Sequence, residues 1–390
     1  MTRTGRRLDG VDGLRALAAL WVVLFHIRAF SGARLGVFDL FVRSGSTGVS
    51  LFLVLSGFCL YLPIARGGAE SFRVWRFLRR RATRLLPAYY ASLVVILLVI
   101  VLAATQLGLT PLSGSGVAIQ AATHLTMTHS LFPSTFYALN GAYWSLGLEW
   151  QLYLGLPLLV IGVRRFGLAR TIAAVVVVNI AYRVGLQIAV DLHAIAAGSP
   201  LATDVLPNLL PGRWAEFRFG MVAASLHASG RLGRWAPRAG WAILALVPLT
   251  TVAVLSVGSP VEHLIFGAVF FLLVCIVVTG GTWLSRLVSW RPLAAVGVMS
   301  YSLYLVHQPI VQSLTFLLRH TGSPLLVFFE VLLCVPGILV VAWLFFVAVE
   351  RRTLRSSGDA EPGSPEALLL APLRWLRRRG GPSPGVSEAA

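Results

Sequence analysis

The chain contains no lysine and little acid: its 33 basic residues are all arginine, set against 15 Asp and Glu, and charged residues make up only 12% of 390. Soluble domains carry about 25% charged residues, so the two or three soluble domains that this length would otherwise suggest are excluded. What fills the sequence is apolar. Hydrophobic residues account for 57% and the mean hydropathy is +0.79, the composition of an integral membrane protein. Cysteine is scarce as well. Cys59, Cys275 and Cys334 sit inside apolar runs without CxxC or Cys/His spacing, which argues against a disulfide framework or a bound metal. The P-loop, dinucleotide GxGxxG, HExxH and GxSxG patterns are all missing, so the common nucleotide-driven and serine-hydrolase readings fall away. A net charge of +18 on a soluble chain would point to nucleic acid or an anionic surface. Here its distribution decides its meaning.

A helix needs about 20 mostly apolar residues to cross the ~30 Å hydrocarbon core. Stretches of that kind lie near 14–30, 47–64, 85–107, 144–163, 168–190, 210–229, 241–257, 261–281, 293–318 and 325–349. The predicted fold is an all-α, polytopic transmembrane helix bundle of about ten spans. The stretch near 210 is the softest, because Arg213, Glu216 and Arg218 interrupt it. The basic, then apolar, beginning of the chain lacks a clean small-residue cleavage site, so a retained first helix is expected rather than a signal peptide.

Positive charge stays on the cytoplasmic side of a membrane, and the arginines alternate accordingly. Arg3, Arg6 and Arg7 precede the first span, and Arg66 with the run from Arg73 to Arg84 fills the second connection. Arg164, Arg165 and Arg170 lie in the fourth, Arg231, Arg234 and Arg238 in the sixth, and Arg286 and Arg291 in the eighth. Residues 105–143 contain no arginine, whereas the first connection is an exception with Arg28, Arg34 and Arg43. Both termini are expected in the cytoplasm of a bacterial-type cell, with residues 1–350 as one domain in the inner membrane. Residues 351–390 are expected to be a cytoplasmic, Arg-rich and largely disordered tail, in which PEALLLAPLRWLRRR can lie on the anionic inner leaflet. No internal repeat of the inverted-transporter kind is visible.

Ionisable side chains inside a span are costly and mark function by default. The first span holds Arg15 and His26, about three turns apart, so both face the same way with His26 roughly 16 Å further along. Asp12 suits a helix N-cap and can also pair with Arg15. Two readings stay open: a functional pair on one face, or an arginine snorkelling to the inner surface beside a hydrogen-bonded interior histidine. Glu149 lies roughly 22 Å from the cytoplasmic end of its span at Arg164, and His307 roughly 21 Å from the start of its own. His26, Glu149 and His307 are therefore expected at comparable depth. A carboxylate and two imidazoles at one level would make a cavity for proton transfer, or would simply satisfy one another.

The segment FRVWRFLRRRATRLLPAYY interleaves arginines with aromatics. It is either a topology signal or a cytoplasmic anion site in which guanidinium groups hold phosphates; nucleic acid is not expected as a partner. Pro87 is read as standing just inside the following helix. His124 and His129, in the long outer connection with Tyr137, Asn140 and Tyr143, are read as surface or loop residues beside a candidate acceptor site.

Six segments taken in order resemble the membrane acyltransferase-3 group of integral O-acyltransferases. LDGVDGLRALAALWVVLFH is similar to its arginine, ten residues, histidine signature, here Arg15 and His26. TGVSLFLVLSGFCL resembles its Ser-Gly-Phe segment (Ser56, Gly57, Phe58), and FLRRRATRLLPAYY its arginine-rich segment ending in Pro-x-Tyr (Arg80, Arg81, Arg84, Pro87, Tyr89). WSLGLEWQLYLGLPLL is similar to Trp-Ser-Leu-x-x-Glu-x-x-x-Tyr (Trp144, Ser145, Glu149, Tyr153), LPGRWAEFRFGMVAA to Glu-Phe-x-x-Gly at Glu216, and SYSLYLVHQPI, with Tyr301, to the segment ending at His307. The resemblance runs from about 8 to 350. One departure is Trp150, where many relatives have a second acidic residue directly after Glu149.

What the resemblance implies is transfer of an acyl group, acetyl or another short chain, from acyl-CoA as co-substrate to a hydroxyl, commonly on a sugar. No permanently bound cofactor is implied. A neutral His26 would remove the acceptor proton, Arg15 would orient the donor or stabilise negative charge, Glu149 would orient an imidazole or polarise the acceptor, and His307 would complete the cavity. Arg73, Arg76, Arg80, Arg81 and Arg84 would hold the coenzyme phosphates with Tyr89 beside them, and Ser56, Trp144, Ser145, Tyr153, Glu216 and Tyr301 would line the substrate site. Direct transfer and an acyl-enzyme both remain open. The acceptor is a carbohydrate, on an envelope glycan or a glycosylated natural product such as a macrolide, and membrane lipids are the surroundings. Some relatives carry an extra extracytoplasmic domain that this chain is expected to lack. A transporter or flippase of an acidic or acylated metabolite is the alternative, because buried charges also mark ion-coupled pathways.

Overall fold

The computed structural model describes residues 8–106, 115–255, 261–319, 322–354 and 369–370, and among them all regular structure is helical. The helices are α1 Asp9–Ser31, α2 Asp39–Arg43, α3 Gly48–Gly67, α4 Val74–Gln106, α5 Ser115–Leu125, α6 Trp144–Phe166, α7 Leu168–Asp191 and α8 Leu210–Ala228. They continue as α9 Ala239–Leu255, α10 Glu262–Thr279, α11 Trp283–Val288, α12 Arg291–Val298, α13 Ser300–Leu318, α14 Pro324–Leu333, α15 Val335–Phe345 and α16 Arg351–Leu354, with a π-helical turn Phe346–Glu350 before the last.

Among the described residues, six segments are long and apolar enough to cross a membrane: Asp9–Ser31, Gly36–Gly67, Val74–Ile100, Gly141–Phe166, Leu168–Asp191 and Glu262–Thr279. The pair Pro324–Leu333 and Val335–Glu350, bent by 44°, makes a seventh if it is one span. The other apolar stretches are helical but short, as α9 is at 17 residues, or interrupted. α8 carries Arg213, Glu216 and Arg218, and the stretch 293–318 divides at Met299 into α12 and α13.

Two local expectations are corrected. α1 begins at Asp9 behind Leu8, so Asp12 is not an N-cap but lies in the first turn, where it pairs with Arg15 at 3.4 Å. α4 begins at Val74, so the arginine-rich segment is helix rather than connection and Pro87 stands in the helix interior. Arginine and leucine are good helix formers, so nothing in the run from Arg76 to Leu86 stops the helix from starting early. Arg28, the exception in the charge alternation, is held by Asp39 through two hydrogen bonds of 3.0 and 3.1 Å.

The bundle is packed around α1, α3, α8 and α10, whose side chains share one apolar core that includes Leu14, Phe58, Phe217 and Val274. α3 and α8 meet backbone to backbone. A Cβ added at Gly57 would collide with the Phe217 carbonyl, and one at Gly220 with the Val54 carbonyl and the Phe58 amide, the close helix approach that small residues allow in membranes. The glycines of two sequence segments, Ser-Gly-Phe and Glu-Phe-x-x-Gly, are therefore two sides of one contact.

The expected tail lies mostly outside the described residues, as do Arg3, Arg6 and Arg7. Leu369 and Leu370 are described and buried, and Trp343 Nε1 donates to the Leu369 carbonyl at 2.7 Å.

Candidate active site

α1 and α13 bring His26 and His307 together: His307 Nε2 lies 3.3 Å from His26 Nδ1. His307 Nδ1 is 2.9 Å from the Tyr304 carbonyl and 3.1 Å from that of Leu303. A carbonyl only accepts, so Nδ1 of His307 carries the proton and, in a neutral ring, its Nε2 is left with a lone pair. His26 Nδ1 is 2.9 Å from the Val22 carbonyl, which places a proton there too, shared with His307 Nε2. The nitrogen of His26 left without a proton is Nε2, a free base.

A row at three-residue spacing runs back along α13 from this pair. Tyr304 shares a 2.6 Å hydrogen bond with Ser145 Oγ, and Tyr301 donates to the Leu85 carbonyl at 2.9 Å. Below Tyr304 lies a cavity of about 100 Å³, lined among others by Arg15, Ser56, Arg84, Glu149, Tyr301 and Glu350. Tyr153, one turn beyond Glu149 on α6, donates to the Glu149 carboxylate. An adjoining cleft of about 470 Å³ shares Arg15, Ser56, Arg84, Glu149 and Tyr153 and runs past Asp12 and Cys59 to Arg66 and Arg81. Arg15 reaches Cys59 Sγ at 3.6 Å as well as Asp12.

This corrects the expected common depth. Glu149 lies with Arg15 and Arg84, one layer away from the histidines, and its partner is a tyrosine rather than an imidazole. The depth of His307 was counted along one continuous helix from residue 293, whereas that stretch breaks at Met299 and α13 starts only at Ser300. The loop before α6 also packs into the bundle, where Asn140 Nδ2 donates to the Leu305 carbonyl at 2.9 Å.

Residues 8–347 match the acyltransferase domain family. The chain belongs to that family. It is similar to the peptidoglycan O-acetyltransferase OatA of Listeria monocytogenes, 25% identical over 368 residues that cover 90% of this chain and 56% of that protein. It is also similar to the O-acetyltransferase OatA of Staphylococcus aureus, 25% identical over 348 residues that cover 78% and 51%. The chain thus spans about half the length of these curated relatives. No solved structure matches it. With its long apolar helices, this member of the acyltransferase domain family is a multi-pass membrane protein.

Within this family member, the remaining predicted site residues divide. Arg81 and Arg84 turn inward to the cleft, whereas Arg73, Arg76 and Arg80 are exposed. Tyr89 does not join them: it is buried, donates to the His124 carbonyl at 3.2 Å and lies parallel to the ring of His129. His124 and His129 are not surface residues either, since both are fully buried with their rings stacked 4.5 Å apart. Trp144 and Glu216 lie away from the cavity, Trp144 against Phe136 and Glu216 buried beside Arg213 at 3.1 Å.

Two residues of this candidate site were not singled out from the sequence. Tyr304 was signalled by its three-residue spacing between Tyr301 and His307. Glu350 follows the matched segment 8–347 and, standing before Arg351 and Arg352, looks like an interfacial charge. The π-helical turn carries it inward, where it lines the cavity and accepts from the Ser302 amide at 3.2 Å and hydroxyl at 2.5 Å.

Proposed function

We propose that the protein transfers an acetyl or other short acyl group from acyl-CoA to a hydroxyl of a carbohydrate, an envelope glycan in the first place. The observation that carries this reading is the His26 and His307 pair, whose carbonyl bonds leave His26 Nε2 as a free base. The acceptor oxygen attacks the thioester carbonyl as His26 takes its proton. The tetrahedral oxyanion then collapses, the carbon–sulfur bond breaks, and the leaving thiolate recovers the proton from His26. His307 is a positioning residue that holds the His26 ring.

The cleft from Arg66 and Arg81 to Arg15 supplies the donor side. Arg81 and Arg84 hold coenzyme phosphates, and Arg15, which lines both the cleft and the cavity, orients the donor. Glu149, bonded by Tyr153, offsets these guanidinium groups, and Ser56, Ser145 and Tyr301 line the donor's path. The bond between Ser145 and Tyr304 closes the cavity toward the histidines, so the donor's arm reaches them with Tyr304 displaced. The name of the Listeria relative favours an envelope glycan over a natural-product sugar.

The topology proposed with this function is ten spans in the cytoplasmic membrane, with both termini inside, residues 1–350 as the acyltransferase domain and 351–390 as the tail. A reporter fused at residue 390 is expected to be cytoplasmic and one inserted near residue 115 external. The function is tested with the purified full chain, radiolabelled acetyl-CoA and a panel of glycans. Acylated product that disappears in His26→Ala supports the proposal, and product at the wild-type rate in that variant refutes the base. Net transport of an acyl metabolite without any product would favour a transporter instead.

A further inference from the structure

A second polar pocket, of about 470 Å³, lies toward the other end of α6 from the arginines. α6 fixes the two positions. Arg164 near its C-terminus donates to the Ala69 and Phe72 carbonyls beside the start of α4, whereas Trp144, its first residue, lines the pocket. Twenty residues separate them, or about 30 Å of helix.

The pocket's chemistry is unlike that of the donor cleft. Trp144 is stacked on Phe136, ring centroids 5.6 Å apart. Around it stand Arg183 and Gln187, one turn apart on α7, Asn208 ahead of α8, and Glu262 at the start of α10. The charges are balanced and braced. Arg213 donates to Ser50 Oγ at 3.1 Å, meets Glu216 at 3.1 Å and touches the His263 ring at 2.9 Å, while Arg183 Nε donates to the Gly212 carbonyl at 3.1 Å. With Arg213 neutralised from behind the wall by Glu216, the pocket presents Arg183 and Glu262, which suits a neutral ligand rich in hydroxyls, and the tryptophan offers a flat apolar wall. A few placed polar groups around an apolar surface are what small-molecule sites use for orientation, and charged and amide side chains are not kept in a membrane bundle without a use.

One wall of the pocket packs on α1, the helix that carries His26. Ser46 and Thr47 on its wall belong to the short 3₁₀ turn Ser44–Thr47, whose Gly45 packs on Trp21 and Phe25, the turn of α1 that ends at His26. On α6, Trp144 faces this pocket while Ser145 faces the donor cavity.

We infer that this pocket binds the carbohydrate, one neutral sugar ring lying on Trp144 with its hydroxyls on Gln187, Asn208 and Glu262. That the bound sugar is the acyl acceptor rests on the transfer proposed above; that the pocket binds sugar does not. The test uses the full chain in lipid nanodiscs with chitotetraose, a soluble tetramer of N-acetylglucosamine, as probe. Its dissociation constant is measured by calorimetry without any donor, and its KM is measured separately in an acetyl-CoA assay. Loss of one hydrogen bond should weaken binding about tenfold, so Gln187→Leu and Glu262→Gln should each raise the dissociation constant and the sugar KM by about that factor, with the acetyl-CoA KM within twofold of wild type. Binding that is absent in the wild type, unchanged in both variants, or displaced by inorganic phosphate overturns the pocket assignment. Variant-sensitive binding with no acetyl transfer would overturn the transfer reading and leave the sugar site standing.

Discussion

His307 Nε2 faces His26 Nδ1 at 3.3 Å, and the Nδ1 of each ring is already bonded to a carbonyl of its own helix. Because those carbonyls accept and never donate, the proton positions in the neutral pair are fixed by the main chain rather than by a carboxylate. Glu149 is not needed to orient either ring.

The first prediction follows from that arrangement. Removing a general base costs about 10²- to 10⁴-fold in rate, so His26→Ala should lose that much kcat while acetyl-CoA still binds. His307→Gln, which leaves His26 its base but removes the ring beside it, should lose less and shift the acid limb of the pH–rate profile. Equal rates for wild type and His26→Ala would end the assignment.

The donor cleft predicts a division among arginines that lie close together in sequence. Arg81 and Arg84 face it, whereas Arg73, Arg76 and Arg80 face out. Losing one charge-assisted contact of about 1.4 kcal/mol is a tenfold effect. Arg81→Ala and Arg84→Gln should therefore raise the KM for acetyl-CoA about tenfold, and alanine at Arg73, Arg76 or Arg80 less than threefold. A uniform effect across all five would mean that the segment acts only through its net charge.

Much of this was legible in the sequence where apolar runs have sharp borders. The stretches 47–64 and 168–190 became Gly48–Gly67 and Leu168–Asp191, and the pairing of Asp12 with Arg15 was visible in their spacing. Depth was not legible, because counting residues assumes one unbroken helix, and the stretch that carries His307 breaks at Met299. Nor was Glu350: a charge at a span's end looks interfacial unless a π-helical turn redirects it. Segment similarity marked Gly57 without a reason, and only the crossing of α3 and α8 supplies one.

That crossing predicts how glycine can be replaced. Gly57→Ala and Gly220→Ala each push a methyl group into backbone of the facing helix, which cannot rotate away as a side chain can. Overpacking costs about 1–3 kcal/mol, so both variants should unfold at a clearly lower temperature in detergent. Gly185→Ala on α7, where a Cβ meets nothing, should instead be neutral or gain up to about 1 kcal/mol in helix propensity. Indifference at Gly57 and Gly220 would show that the helices do not touch as described.

Glu350 and Ser302 predict a coupling. The carboxylate accepts both the amide and the hydroxyl of Ser302 and lines the cavity with Arg84. Glu350→Ala leaves buried donors unpaired, at about 1–3 kcal/mol, whereas Ser302→Ala removes only the hydroxyl and keeps the amide bond. The double variant should cost less than the sum of the two, with an interaction of at least about 0.5 kcal/mol. Strict additivity in thermal unfolding would separate the residues.

The histidines of the loop before α6 predict a pH dependence of stability. Burial, followed by the neighbouring His124, pushes His129 down from 6.5 to about 4, and His124 is lowered by burial as well. Above pH 6.5 both the folded and the unfolded ring are neutral and nothing is lost. As pH falls from there toward about 4, the unfolded ring takes up a proton that the buried ring refuses, so folding weakens through that window. The full loss from His129 is roughly 3 kcal/mol once both states are protonated. The ring also donates from Nε2 to the Tyr143 carbonyl at 2.9 Å, a bond that an amide can replace, so His129→Gln should keep the fold at neutral pH and flatten the acid decline of the melting temperature. Carboxylates titrate over part of the same range, so the quantity to compare is the difference between variant and wild type at pH 7 and pH 4.5. Identical acid slopes would show that His129 is not held neutral by its surroundings.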